Sequence, residues 1–354
     1  MIEISLGAIA IILRLFTAKL KLNSYRFLAI FLVTITLLTI PSCYENTSQP
    51  NQKAVDSGGS CRAMPSASFA IAHFMGETCV PENPQRIVSL YTTPLANLLA
   101  FDIKPIAITP ATGVQDEFPS YLAEKVEGME IVGINYEPNL ERIAQLKPDL
   151  IVGWDFHEQT YPLLSQIAPT LLLPQDIIES PNADWQKYTK YLATALGKQE
   201  KARQIIAEYD RRITELKTAL GNSYSNKIIS VAHVSDEYGT EAYTVNSFPG
   251  SILSALDLQR PQSQAIKKPG GTIDAISEEK LELIDGDLLF VLIYNDSDRQ
   301  MLDNLLKKPL WQKLKAVQNR QVYPVNGWTW GVANPLAANA VLDDLEKYLL
   351  SSSY

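Results

Sequence analysis

The sequence repeats itself weakly on either side of one long helical segment. Residues 140–152 align without gaps on residues 278–290, a shift of 138 positions, and residues 86–89 resemble 227–230 at nearly the same shift. Between the copies, residues 199–220 carry the apolar spacing of a single helix, which would be about 33 Å long at 1.5 Å per residue. The repeat therefore predicts two similar lobes joined by one rigid helix.

Each half alternates short apolar runs with amphipathic helical patterns. Residues 86–90 and 149–152 have the character of buried strands, and residues 94–101 and 161–167 have helical spacing. Alternation of this kind predicts an α/β fold with parallel sheets and helices on both faces. We expect two Rossmann-like lobes with a ligand cleft between them, at the carboxyl ends of the strands.

The same patterns divide the chain into five segments. We predict a signal peptide, a polar flexible tether, an N-terminal lobe, a helical connector and a C-terminal lobe, at residues 1–42, 43–65, 66–182, 183–221 and 222–354.

The first segment has the composition of an export signal. Basic residues precede an uncharged apolar run of 14 residues, 27–40, which is too short to span a bilayer as a helix. The run ends in Ile40-Pro41-Ser42-Cys43, which resembles a bacterial lipobox with Cys43 as the residue that receives lipid. This predicts a protein of the bacterial periplasm or cell envelope, held to the membrane by lipid. A plain cleaved signal or a weak anchor is the alternative.

Charge and cysteine content exclude some classes of partner. The net charge of −8 argues against nucleic acid, because phosphate backbones are bound through lysine and arginine. Three scattered histidines disfavour a transition-metal site. Outside the cytoplasm Cys61 and Cys79 would pair as a disulfide, with two free thiols as the alternative.

Enzyme signatures are absent from the sequence. It contains no Walker loop, no GxGxxG after a strand, no GxSxG elbow and no HExxH. Two rival functions remain open: an exported hydrolase using His157 and Asp155, and a receptor for a bare metal ion. We disfavour the first because no nucleophile stands beside that pair, and the second because too few ligands converge.

Aromatic residues follow many of the predicted strands. In a doubly wound lobe these positions face the cleft, where flat rings suit a large and partly apolar ligand and the polar atoms of Tyr and Trp add hydrogen bonds. The predicted ligand wall consists of Tyr91, Tyr136, Trp154, Phe156, Tyr238, Tyr243, Trp328 and Trp330. Core or rim positions are the alternative for each.

Two glutamates occupy equivalent positions in the repeat. Glu141 and Glu279 are on the exposed side by helical phase, one in each lobe. The pair predicts a two-point electrostatic dock for a basic partner, and two solvated surface charges are the alternative.

Several motifs together resemble a known family. The chain is similar to the solute-binding proteins of iron-siderophore and cobalamin ABC importers over roughly residues 75–350. The resemblance rests on PQRIVSL at 84–90, EPNLERI at 137–143, KPDLI at 147–151, SFPGS at 247–251 and PLW at 309–311.

The resemblance implies a non-enzymatic receptor of the siderophore branch. It implies modest closure about the connecting helix, and docking of Glu141 and Glu279 to arginines of an inner-membrane ABC permease. Iron would be held by the bound siderophore, so no cofactor and no protein metal ligand is expected, and we expect a monomer. Some relatives carry an arginine where Asn135 and Tyr136 stand, which leaves the charge of the ligand open. A cobalamin or haem binder is the alternative within the family.

Overall fold

The computed structural model describes residues 61, 68–110, 118–178 and 184–350, all of which fall within one compact unit that spans 57–354. The signal segment, Cys43 and the tether other than Cys61 lie outside the described residues. In the described part of the chain, no helix has both the length and the apolar character needed to cross a membrane.

The described strands number fourteen in chain order. They are β1 (Ser68–His73), β2 (Gly76–Pro81), β3 (Ile87–Ser89), β4 (Ala107–Ile108), β5 (Glu130–Ile131), β6 (Gly133–Ile134), β7 (Glu137–Pro138), β8 (Leu150–Val152), β9 (Thr170–Leu171), β10 (Ile229–Ser235), β11 (Gly239–Tyr243), β12 (Thr272–Ile273), β13 (Leu288–Ile293) and β14 (Val322–Asn326).

The α-helices of the described residues are α1 (Thr92–Ala100), α2 (Ser120–Ala123), α3 (Leu140–Leu146), α4 (Tyr161–Ile167), α5 (Gln175–Ile178), α6 (Trp185–Ala195), α7 (Gln199–Leu220), α8 (Phe248–Ala255), α9 (Asp296–Leu305), α10 (Lys315–Gln318), α11 (Gly327–Trp330) and α12 (Pro335–Leu345). Short 3₁₀ segments lie at Asp155–His157, Pro269–Gly271, Glu278–Ile284 and Trp311–Lys313, and a π-helical turn at Glu346–Leu350 extends α12.

The N-terminal sheet is parallel throughout. Its strand order is β5-β4-β3-β8-β9. The central strands β3 and β8 are buried along their whole length because helices cover both faces, which is why they read as continuous apolar runs. The α/β class expected from the alternating pattern is confirmed.

The C-terminal sheet is mixed, which differs from the parallel sheet expected. Its order is β12-β11-β10-β13-β14, and β11 runs antiparallel to both of its neighbours. A hairpin causes the reversal: Ser235 pairs with Gly239, whose positive φ of 73° closes the turn. The alternating pattern missed this hairpin, and Tyr243 therefore lies on β11 rather than in a loop after β10.

The long connecting helix α7 begins and ends where the apolar spacing predicts. Its first turns contribute Ala202 to the core of the N-terminal lobe, and its last turns contribute Leu216 and Leu220 to the core of the C-terminal lobe. Ile205 packs against both cores. The helix is thus a packed part of each lobe and not a free linker.

A second connection joins the lobes at the start of α12. Asn334 donates a hydrogen bond through Nδ2 to the Tyr121 hydroxyl at 3.0 Å, and Thr93 donates to the Ala333 carbonyl at 3.2 Å. Leu336 packs into a small cluster of the N-terminal lobe beside Leu95. Two connections hold the lobes more firmly than one helix would.

A hairpin, β1–β2, packs on the outer strand of the N-terminal sheet. Thr78 of β2 donates to the Thr170 carbonyl of β9 at 2.8 Å, and the amide of Phe74 in the turn donates to the Leu173 carbonyl at 2.9 Å. Cys79 of the same strand forms a disulfide with Cys61. The chain ahead of the hairpin is thereby fixed directly to β2.

Candidate functional site

The N-terminal wall of the cleft is a cluster of four aromatic rings. Tyr91 follows β3, and its ring centroid lies 5.0 Å from that of Trp154 and 5.2 Å from that of Phe156, both of which follow β8. Tyr136 lies 4.6 Å from Phe156 and is 71% exposed. Parallel strands end at the same edge of a sheet, so the sequence-predicted residues of this lobe come together there.

His157 holds the turn that presents Trp154 and Phe156. Its ring accepts a hydrogen bond at Nδ1 from the Trp154 amide at 3.0 Å, and Asp155 accepts from the Phe156 amide at 2.8 Å. The His157 ring is almost completely buried, and burial lowers its pKa. Both side chains support the aromatic wall, which disfavours the hydrolase considered from the sequence.

The C-terminal wall is centred on Tyr294, which follows β13. Its ring lies 5.2 Å from that of Trp328, edge to face, and its carbonyl accepts a hydrogen bond from the Trp328 indole at 3.2 Å. Its hydroxyl is 3.4 Å from the hydroxyl of Tyr243. Tyr238, 55% exposed, lies at the rim of the same cavity.

Two glycines make room for the Tyr294 ring. A Cβ atom on Gly331 would lie 2.0 Å from the Tyr294 hydroxyl oxygen, and one on Gly327 would lie 2.6 Å from the ring. The sequence-predicted wall omits Tyr294, although a tyrosine at the end of a strongly apolar strand carried the same signal as the aromatic residues that were included.

Trp330 does not belong to the ligand wall, contrary to the sequence-based expectation. Its ring is fully buried and stacks on Phe290 at 4.9 Å, and its indole donates to Asp344 at 2.8 Å. The reason is geometric: residues 327–330 form the helical turn α11, in which positions two apart point to nearly opposite sides. Trp328 therefore faces the cleft and Trp330 faces the core.

The two walls border adjoining cavities. A cavity of about 220 Å³ includes Tyr91, Trp154 and Gly331 in its lining. A second, of about 480 Å³, is bordered by Tyr294 and Trp328. Burial raises the pKa of Tyr91 above its ordinary range, and its electrostatic interaction with Tyr136 and Tyr294 adds to the rise. Gly331 of the first cavity lies against the Tyr294 hydroxyl, which brings the two walls close together.

Buried polar groups lie beneath the C-terminal wall, and the sequence analysis did not find them. His233 of β10 lies between two carboxylates, with Nδ1 3.0 Å from Glu241 and Nε2 3.4 Å from Asp298. Asp298 also accepts from the Tyr294 amide at 2.9 Å. Neither Glu241 nor Asp298 stood in a recognisable motif, and Glu241 lies on β11, which had not been identified. Among the residues that the structure describes, no group of three or more His, Cys, Asp or Glu side chains could hold a metal ion.

Glu141 and Glu279 are exposed at matching places in the two lobes. Glu141 is in the first turn of α3, and Glu279 is in the segment Glu278–Ile284, which is a 3₁₀ helix. Each segment ends just before the next strand of its sheet, β8 or β13. Its first turn, which carries the glutamate, therefore lies at the opposite end of the lobe, where the strands finish. In the described ranges neither carboxylate belongs to an ion pair. The pKa of Glu279 is lowered by hydrogen bonds from its own amide and from Ser277.

Comparison with known proteins gives three informative matches. The family model described as periplasmic binding protein matches residues 87–326. The probable siderophore-binding lipoprotein YfiY of Bacillus subtilis is 31% identical over 335 residues, which cover 91% of this chain and 98% of the relative. The Staphylococcus aureus protein SirA, solved in complex with staphyloferrin B, is 26% identical with a TM-score of 0.69, over 80% of this chain and 99% of that one.

Proposed function

The chain belongs to the periplasmic binding protein family, and from that premise we propose that it captures a ferric siderophore and delivers it to an ABC importer. The family is one of binding proteins, so the chain acts as a receptor and not as an enzyme. The names of its relatives support the choice of ligand. An achromobactin-binding periplasmic protein of Dickeya dadantii, for example, is 29% identical over 75% of this chain and 86% of the relative.

The facing aromatic walls carry the proposal most directly. A ferric chelate is a bulky complex with apolar linkers and hydrogen-bonding oxygens, and Tyr91, Trp154, Tyr294 and Trp328 offer both ring faces and polar atoms to it. The siderophore supplies every ligand to iron, so the protein needs no cofactor of its own. The rival ligands, cobalamin and haem, have no comparable support among the relatives compared.

Tryptophan fluorescence provides the test of the ligand class. Purified protein is titrated with a panel of ferric siderophores, with the iron-free chelators, and with cobalamin and haem. We expect saturable quenching by at least one ferric chelate at micromolar or lower concentration and none by the iron-free forms. Quenching by cobalamin or haem alone would reject the siderophore proposal.

We place permease docking on Glu141 and Glu279. The two exposed carboxylates, one in each lobe, suit paired basic groups on a partner. A strain that carries Glu141→Ala and Glu279→Ala should lose uptake of labelled ferric siderophore, while the purified variant keeps its ligand affinity. A matched control exchanges two other exposed glutamates, Glu124→Ala and Glu282→Ala, and should keep uptake. Normal uptake in the first strain would refute the assignment.

We also propose that the receptor is a monomer tethered to the cell envelope by lipid on Cys43. The lipobox-like end of the signal segment supports the tether. Mass spectrometry of the amino-terminal peptide from membrane fractions should find a diacylglyceryl thioether on Cys43. Cys43→Ser should release the protein from the membrane, and a protein that stays membrane-bound after that exchange is not held by this lipid.

A further inference from the structure

The charge on the lining of the cleft is one-sided. The C-terminal cavity is bordered by four carboxylates, Asp236, Glu237, Glu241 and Asp298, and by no lysine or arginine of the described chain. On the N-terminal side Lys187 is the single basic residue among those that the structure places around the cavity, and it forms an ion pair with Asp176 at 2.9 Å. The undescribed internal segments 111–117 and 179–183 contain no basic residue.

Glu241 is the carboxylate best placed to meet a ligand. Asp298 is buried and already bonded to the Tyr294 amide and to His233. Glu241 uses only Oε2 for His233, and no hydrogen bond to Oε1 is found among the described residues. Its side chain is 17% exposed, so its charge is screened less than that of the open rim residue Asp236.

Aromatic rings stand beside this carboxylate in the same cavity. Tyr243, Tyr294 and Trp328 share the lining with Glu241. Aromatic faces next to a carboxylate form a recognised binding site for organic ammonium groups, because the negative ring face and the carboxylate both attract the cation. A ligand with several free carboxylates would be repelled by the four carboxylates of the same lining.

We propose that the siderophore is a ferric complex with a neutral chelate core and a protonated amine, which Glu241 receives at the C-terminal wall. Three hydroxamate groups, each with one negative charge, neutralise Fe³⁺, so a trishydroxamate with a protonated terminal amine carries a net charge of +1. Tricatecholate and citrate-type complexes are anionic and do not match this lining. The inference rests on the proposed function and names the ligand class of the same cleft.

The test uses one chelate scaffold with three charges. A linear ferric trishydroxamate with a terminal primary amine (ferrioxamine B) is compared with its N-acetylated form, which is neutral, and its N-succinylated form, which is anionic. Calorimetry at low ionic strength should give an affinity at least tenfold higher for the amine than for the acetylated form, and the succinylated form should bind most weakly. The preference should shrink as salt is added.

Substitutions test whether Glu241 causes the preference for the amine form of the chelate. Glu241→Gln, which can still hydrogen-bond to His233, should reduce the amine preference to less than threefold with little change for the acetylated form. Asp236→Asn, at an exposed position, should reduce it in the same direction by a smaller factor. Asp303→Asn, on α9 outside the cavity, is the matched control and should keep the full preference.

The outcomes separate this inference from the proposed function. Equal affinity for the amine and acetylated forms, or tighter binding of an anionic ferric chelate, would overturn the charge assignment and leave a siderophore receptor in place. Full amine preference in Glu241→Gln and Asp236→Asn would overturn the assignment to this wall. Binding of no ferric chelate of any charge would overturn the proposed function and this inference with it.

Discussion

At the scale of single residues, Tyr294 is where the two halves of the cleft meet. It borders the C-terminal cavity, bonds to Trp328 and Tyr243, and lies against Gly331, which lines the cavity that Tyr91 also borders. Burial raises the pKa of its hydroxyl to about 12. The group therefore keeps its proton at neutral pH and can donate a hydrogen bond to a ligand oxygen.

Exchange of Gly331 for alanine should displace this ring. The added methyl group would overlap the Tyr294 hydroxyl, so the ring must move into the cleft. We expect ligand affinity to fall about tenfold, which corresponds to about 1.4 kcal/mol of binding free energy, with an unchanged far-ultraviolet circular dichroism spectrum. Gly128→Ala, at a turn that borders neither cavity and has open space around the added Cβ, is the control for a glycine exchange away from Tyr294. Unaltered affinity in Gly331→Ala would show that the ring position is not critical.

His73 should make stability depend on acidity. The Met75 amide donates to its Nδ1 atom and its Nε2 atom bonds to Thr78, which fits the neutral ring, and burial lowers its pKa to about 4. Between pH 4 and 6.5 the unfolded chain binds this proton more readily, so stability is lost as pH falls through that range. From pH 7 to 4.5 we expect the free energy of unfolding to drop by about 2 kcal/mol from this group.

Urea unfolding at the two pH values provides the measurement for His73. His73→Gln removes the titrating ring but keeps hydrogen-bonding capacity, so its loss of stability on acidification should be smaller than that of the wild type by about this amount. An equal loss in both proteins would assign the acid sensitivity to other groups.

At the scale of elements, sequence periodicity predicted the long connecting helix and missed the short elements. The helix α7 was predicted to the residue because it has a long amphipathic pattern. Strand β11 and the turn α11 were missed, since a hairpin partner and a single helical turn carry too few residues to show a period. Because β11 was not predicted, Glu241 was not recognised as a cleft residue, and because α11 was not predicted, Trp330 was assigned to the cleft. The direction of a side chain depends on the element that bears it.

The hairpin β1–β2 should depend on the disulfide between Cys61 and Cys79. The bond closes a loop of 18 residues, for which chain entropy predicts a stabilisation of about 3 kcal/mol. We expect Cys61→Ser/Cys79→Ser to lower the free energy of unfolding by about that amount in denaturant titrations. Ligand affinity should stay the same, because neither cysteine borders the cleft cavities. Unchanged stability would mean that the hairpin is held by its contacts with β9 alone.

At the scale of the whole molecule, the two sheets are built from separate stretches of chain and are joined twice. The sequence repeat predicted the two lobes and the helix between them. It did not predict the second connection through Asn334 and Leu336, because contacts between residues more than 200 positions apart leave no local pattern. The same limit applies to the cavity that Tyr91 shares with Gly331, which only the packed lobes form.

The double connection should keep closure on ligand binding small. We expect the radius of gyration from small-angle X-ray scattering to change by less than about 1 Å when a saturating ferric siderophore is added. The variant Thr93→Ala/Asn334→Ala, which lacks both hydrogen bonds of the second connection, should show a larger change. A wild-type change of several ångströms would mean that α7 acts as a hinge.

The disulfide also determines how a force on the amino-terminal end of the chain would be transmitted to the fold. A force applied ahead of Cys61 passes through the sulfur bridge into β2 and from there, by way of Thr78, into β9. Strand β1 is not part of this series of contacts, so its pairing with β2 does not carry the force. A molecule tethered at its amino-terminal end would thus be held by the sheet of its N-terminal lobe, and the doubly connected C-terminal lobe would follow it.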